Sequence, residues 1–170
     1  MKMLVPIVAV AAMAPVYGVY ALPYTGMYQT IDDATNSPKS VVMLYENDGK
    51  LAGRIVALYD ADGKISETIA NPVKVATKVK DAPKYAGLDI IWNMQWNADD
   101  NRYTDGKIMD PASGRVYSSV IWQDTDGQLS VRGKIGPIGR TQTWHKVDVA
   151  TMPTEIQTID TTNWKPLIRK

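Results

Sequence analysis

The sequence predicts an all-β fold, an antiparallel up-and-down meander of about eight to ten strands closed as a barrel or stacked as a sandwich. Three observations predict it. Turn pairs recur along the chain, as Asp48-Gly49, Asp62-Gly63, Asp105-Gly106, Ser113-Gly114 and Asp126-Gly127. Period-two segments lie between them, and no helical stripe follows residue 24. Glycine accepts positive φ and aspartate tolerates the left-handed region, so such pairs suit the primed turns of hairpins.

The chain opens with Lys2, then an apolar run from Met3 to Ala14, then Val19-Tyr20-Ala21. A positive start, an apolar run and small residues in that order describe a secretory signal cut after Ala21. Pro6, Pro15, Gly18 and Pro23 interrupt the stretch, which argues against the uncleaved spanning helix that is the alternative. The expected organisation is therefore a signal peptide over 1–21, a barrel domain over 22–147 and a C-terminal extension over 148–170. The expected location is the periplasm or the exterior, with no stable membrane anchor once the signal is removed.

Within the domain, Ser40–Glu46 and Lys50–Tyr59 flank Asn47-Asp48-Gly49 as a hairpin. Leu88, Ile90, Trp92, Met94 and Trp96 alternate with mostly polar residues. Val116, Ser118, Val120 and Trp122 share one face of a further segment, and Leu129, Val131, Gly133 and Ile135 share one face of the next. Alternation of this kind marks strands with one buried and one wet face. Residues 70–85, bracketed by Pro72 and Pro83 and rich in lysine, read as an edge strand or a loop. Residues 148–170 carry Pro153 and Pro166, little periodicity and one aromatic anchor, Trp164.

Composition narrows the function classes. The 170 residues include no cysteine and one histidine, so there is no disulfide, thiolate metal site or cysteine nucleophile. With 19 basic and 18 acidic residues, the chain lacks the basic excess of a nucleic-acid binder. A mature chain of about 150 residues buries roughly 68–70% of its unfolded surface, enough without covalent staples.

Several motifs together carry a resemblance: Lys39-Ser40-Val41-Val42, the Asp48–Ile55 hairpin, Ala86-Gly87-Leu88, Asp105-Gly106-Lys107-Ile108-Met109-Asp110-Pro111-Ala112-Ser113-Gly114-Arg115-Val116-Tyr117, Leu129–Gly133 and Gly139–Trp144. Over roughly residues 26–147 the chain resembles a bacterial secreted family known as domain of unknown function 2147. The resemblance implies a lipocalin-like (calycin) β-barrel and no assigned activity. Members often carry two cysteines in the stretch corresponding to about residues 65–82, and this chain has none. Where the family tends to have Gly-x-Trp in the first strand, this chain reads Gly26-Met27-Tyr28. In calycins a basic residue of the last strand packs over the aromatic of the first, so the resemblance places Arg140 across Tyr28.

Arg140, Gln142 and Trp144 share one face of the last strand by alternation. Arg140 is either an anchor for a ligand carboxylate or a structural plug closing the barrel end. Asp110 is a potential catalytic carboxylate, but Asp110-Pro111-Ala112-Ser113-Gly114 reads first as a turn. Aligning Gly63 or Gly127 with the glycine of a calcium loop puts no carboxylate at either end, so these are hairpin turns. His145 alone cannot build a zinc site, and its parity turns it outward. Trp92 and Trp122 fall on apolar faces and either fill the barrel or line a cavity. The expected ligand-binding or barrel-closing set is Tyr28, Trp92, Asp110, Trp122, Arg140, Gln142 and Trp144, with no cofactor and no metal. A small apolar or amphipathic ligand is the leading expectation. A ligand-free interaction module and an enzyme pairing Arg140 with a carboxylate are the alternatives.

Overall fold

The computed structural model describes residues 22–170, and the export leader expected over 1–21 lies outside them. Nine strands follow in chain order: β1 Gly26–Asp32, β2 Ser37–Asn47, β3 Lys50–Tyr59, β4 Ile65–Thr68, β5 Asp89–Asn97, β6 Arg102–Asp110, β7 Arg115–Gln123, β8 Leu129–Ile135 and β9 Ile138–Lys146. They hydrogen-bond in the order β2-β1-β9-β8-β7-β6-β5-β3-β4, and β2 also pairs with β3. That extra pairing closes eight strands into an antiparallel barrel, with β4 as a short flap on β3. Closure leaves the eight strands no free edge.

The turns follow the sequence with one exception. Asp48 and Gly49 both take positive φ, 52° and 72°, as a two-residue primed turn between β2 and β3 requires. Asp105-Gly106, expected as a turn, lies inside β6. Asp105 takes φ 58° and the β6–β7 register shifts between Tyr103 and Gly106, so the pair forms a bulge. Glycine is required there by packing: a Cβ on Gly106 would sit 2.1 Å from the Met94 sulfur and 2.8 Å from its Cα. The β5–β6 turn falls instead near Asn101, at φ 51°.

Two buried clusters result. The inner one fills the barrel with Tyr28, Val42, Leu44, Leu51, Ile91, Met94, Tyr103, Ile121, Leu129 and Trp144, among others. The outer one lies on the far face of β1–β3 and joins Met27, Val41, Met43, Tyr45, Ala52 and Val56 to Ile156. The C-terminal extension covers this outer face. It contains a 3-10 turn at Val149–Thr151 and one helical turn, α1, at Thr154–Gln157. Val147, Met152, Ile159 and Trp164 pack against the same cluster. Trp164 thus packs against the barrel.

An ion pair pins the extension. Arg54 Nε and Nη2 donate to the two Asp89 oxygens, each at 2.9 Å. The Tyr45 hydroxyl donates to Asp89 Oδ1 at 2.8 Å, and the Leu167 amide donates to Asp89 Oδ2 at 2.9 Å. Burial, reinforced by the Asp89 carboxylate, pushes the Tyr45 phenol well above its usual range, so it remains a donor. The Arg54 guanidinium lies 4.2 Å from the Trp164 ring centroid, a cation–π contact. Residues 70–85 form a loop, with isolated bridges from Asn71 to Thr68 and from Val75 to Lys84. Ala76 and Val79 of that loop join the inner cluster, and Arg169 ties the chain end back to Asp81 at 2.9 Å.

Asp89→Ala leaves the Arg54 charge half-buried without its carboxylate. We expect it to lower the unfolding free energy by about 3 kcal/mol and to make residues beyond 147 the first site of limited proteolysis. Wild-type stability together with an unchanged digestion pattern would contradict the clamp.

Candidate functional site

The site grows from the β8–β9 hairpin. Cross-strand partners share a face, and the register pairs Leu129 with Trp144, Val131 with Gln142, Gly133 with Arg140 and Ile135 with Ile138. Exposure climbs steeply along the inward row of β9. Trp144 is 1% exposed, the Arg140 side chain 68% and Ile138 78%. Trp144 therefore sits at the floor and Ile138 at the lip of a well. At about 3.4 Å per residue, Arg140 lies roughly 14 Å above Trp144.

The well is a cavity of about 440 Å³, inside the range of about 300–1,000 Å³ usual for small-molecule sites. Ile55, Ile90, Ile108, Tyr117, Val131 and Trp144 supply most of its wall. Thr30, Ser40 and Gln142 add polar groups, and Asp33, Lys39, Asp110 and Arg140 add charge. The turns at Asp33–Asn36, Pro111–Gly114 and Gly136-Pro137 all lie at the lip, because antiparallel strands bring alternate turns to one end. The Asp48-Gly49, Asn101 and Asp126-Gly127 turns lie at the opposite end.

That opposite end is closed by aromatic side chains. The Tyr24 ring meets Trp96 and Tyr103 edge-on at 5.5 and 5.9 Å, and Trp96 meets Tyr103 at 5.0 Å. The Tyr103 hydroxyl donates to the Pro23 carbonyl at 2.9 Å, fixing the incoming chain across this end. Tyr28 is buried nearby in the inner cluster, and burial raises its phenol above the ordinary range.

The lip is held differently. β1 and β9 pair through only two residue pairs, Tyr28 with Lys146 and Gln29 with His145. Beyond them, side chains replace the backbone ladder. Asp33 accepts from Gln142 Nε2 at 2.6 Å and forms an ion pair with Arg140. Inside the well, the Thr30 and Ser40 hydroxyls bond one another at 2.7 Å. Trp144 Nε1 is buried with no hydrogen-bond partner among the described residues, and so is Ser119 Oγ. An orphaned buried donor costs about 1–3 kcal/mol.

Of the residues expected from sequence, Asp110, Arg140, Gln142 and Trp144 line the same cavity. The other placements need correction. Arg140 does not lie across Tyr28. The β1–β9 pairing is registered at the far end of β9, so Lys146 takes that position. Nor is Arg140 a buried plug, since its exposed guanidinium is neutralised by Asp33 at the lip. Trp92 is cross-strand from Lys107, whose ammonium donates to Ser118 on the outer surface, so Trp92 is buried but faces away from the well. Asn93, at φ 58°, breaks the simple alternation there. Trp122 shares a face with Arg102 and Ser130 and donates from Nε1 to Asp124 at 3.0 Å; Ile121 is the inward residue.

Asp110 is occupied as a turn residue. Its oxygens accept from the Ala112 amide at 3.0 Å and the Ser113 hydroxyl at 2.7 Å. Sequence reasoning missed Thr30, Asp33, Ser40, Ile55 and Tyr117. Thr30 was accessible by alternation from Tyr28, whereas Asp33 sits in a turn with no distinguishing pattern.

The profile of a family described as an uncharacterized protein conserved in bacteria (DUF2147) matches residues 26–146. A solved structure of a Helicobacter pylori protein, described as belonging to the lipocalin family, superposes with a TM-score of 0.58 at 20% identity. The match covers 75% of this chain and 85% of that one. At that identity the likeness establishes the lipocalin-like fold. No curated protein matches the chain.

Because the Asp33–Arg140 pair is exposed, Arg140→Ala should change the unfolding free energy by less than about 1 kcal/mol. A loss of roughly 3 kcal/mol or more in denaturant titrations would restore the plug reading.

Proposed function

The chain belongs to the bacterial DUF2147 family, and we propose that it is a binding protein that holds a small apolar or amphipathic molecule in its barrel. One observation carries the reading: a well of about 440 Å³, apolar along its wall, closed at the floor and open at the lip. A filled barrel would have no such space, because eight strands give an interior that side chains can just occupy. Polar groups are few and sit where they would orient an occupant, as in small-molecule sites generally. The lipocalin-like fold is compatible with this use, although one fold hosts many functions.

The engaged carboxylates weigh against the enzyme alternative. Asp110 is committed to its turn and Asp33 to Arg140 and Gln142. The proposed location is the periplasm or the exterior, on the strength of the Lys2, Met3–Ala14 and Val19-Tyr20-Ala21 pattern. N-terminal sequencing of the protein from its native host tests this, and an intact Met1 in the cytoplasmic fraction contradicts it.

The binding reading is tested with 1-anilinonaphthalene-8-sulfonate as a fluorescent probe and native mass spectrometry of protein purified from its host. We expect saturable probe binding that Val131→Phe weakens roughly ten-fold by occupying the well. A barrel that is empty by mass and silent to the probe would overturn the proposal.

A further inference from the structure

The β8–β9 hairpin is unlike the other strand connections. Each of the others carries an aspartate within it or at its edge, among them Asp33, Asp48, Asp62, Asp99, Asp110 and Asp126. The stretch Ile135-Gly136-Pro137-Ile138-Gly139 has no charge, and Lys134 and Arg140 flank it. Gly136 takes φ 56° and the proline ring fixes the next φ, so the turn is tight and holds its shape. It presents Ile135 and Ile138 as a cross-strand pair, 60% and 78% exposed. They extend the inward row of β9 past Arg140 and line the mouth of the well.

Charge is unevenly spread between the two ends. At the mouth, Arg140 pairs with Asp33, Lys39 pairs with Asp32, and Arg115 stands across from Asp110. Among the described residues, Lys78, Lys80 and Lys134 have no carboxylate in ion-pair range. Lys78 and Lys80 are exposed, and a Cβ on Gly114 would overlap the Lys78 carbonyl, so their loop abuts the β6–β7 turn, next to β8 in the ring. Asp60 and Asp62, on the β3–β4 turn, lie across the ring from β8 and β9. The closed end has the opposite balance, with Glu46, Asp48, Asp99, Asp100, Asp124 and Asp126 against Lys50 and Arg102. Such a distribution turns the mouth toward a negative surface.

We propose that the β8–β9 tip docks on an anionic lipid bilayer. Its two isoleucines enter the boundary between headgroups and acyl chains, and Lys78, Lys80 and Lys134 meet the lipid phosphates. Apolar side chains leave water at that boundary, while lysine keeps its charge at headgroup level. Docking is reversible, because two side chains fall far short of the roughly 20 apolar residues that span a bilayer. The docked tip sets the mouth of the well against the membrane, so an amphipathic occupant passes between them without crossing water. That passage rests on the binding reading above; the docking does not.

The chain has no cysteine, so Ile138→Cys takes a nitrobenzoxadiazole label at a single place, and Thr125→Cys labels the opposite end. Each labelled mature chain is mixed with vesicles of phosphatidylcholine alone or with about one-third phosphatidylglycerol. We expect the label at 138 to brighten and shift to the blue with the anionic vesicles only, and the label at 125 to stay unchanged. In flotation of the unlabelled protein, Ile135→Ser combined with Ile138→Ser should weaken binding about ten-fold, and Lys134→Gln about five-fold. Absence of wild-type flotation would overturn the proposal, and is the result a hairpin built to meet a protein would give. Equal flotation with both vesicles, or a double-serine chain that floats like the wild type, would overturn it too. Wild-type flotation decides the matter should a variant not fold. A chain that binds 1-anilinonaphthalene-8-sulfonate but no vesicle loses this inference and keeps the binding reading.

Discussion

The contact on which the molecule depends is the closure of β9 onto β1 at Tyr28–Lys146 and Gln29–His145. Two residue pairs, extended by the Val147 amide donating to the Met27 carbonyl at 3.0 Å, turn a sheet into a barrel. Closure commits alternate residues of every strand to an enclosed interior. It also fixes which end is shut. Where β1 and β9 pair, the barrel is filled by Tyr28, Tyr103 and Trp144. Beyond the pairing, only the Asp33 contacts to Gln142 and Arg140 bridge the two strands, and the interior becomes a well.

A second constraint comes from β1–β3. Their outer face is as apolar as their inner one, as Val41, Val42, Met43, Leu44 and Tyr45 are all buried in succession. Strands buried on both faces need a second layer. Residues 148–170 provide it, and Arg54–Asp89 fastens that layer through Tyr45, Trp164 and the Leu167 amide. The outer faces of β6–β8 carry Lys107, Ser118, Arg132 and Lys134. The asymmetry leaves the well untouched by the extension, so the layer stabilises the barrel without entering the site.

Much of this architecture was legible because turns and alternation are local. The Asp48-Gly49 hairpin, the inward set Leu129–Val131–Gly133–Ile135 and the shared face of Arg140, Gln142 and Trp144 needed only glycine chemistry and a period of two. The failures share a cause. Asp105 and Asn93 adopt positive φ inside strands, and a bulge shifts the phase of the residues around it. A strict period of two therefore puts Trp92 inward, although Asn93 interrupts it, and turn chemistry alone makes Asp105-Gly106 a hairpin turn. Trp122 misled for a different reason, since a bulky aromatic on an outer face looks apolar until Asp124 is seen holding its N–H. The position of Arg140 relative to Tyr28 is a register between chain ends, which no local pattern encodes.

The claim that all else serves is that the barrel contains an accessible apolar space, and xenon tests it most directly, since dry apolar cavities take up the gas. Xenon-129 NMR of the mature protein should give a saturable shift, with methyl perturbations confined to Ile55, Ile90, Ile108 and Val131. A shift that rises linearly without saturation, with no perturbation of those methyl groups, would contradict the account.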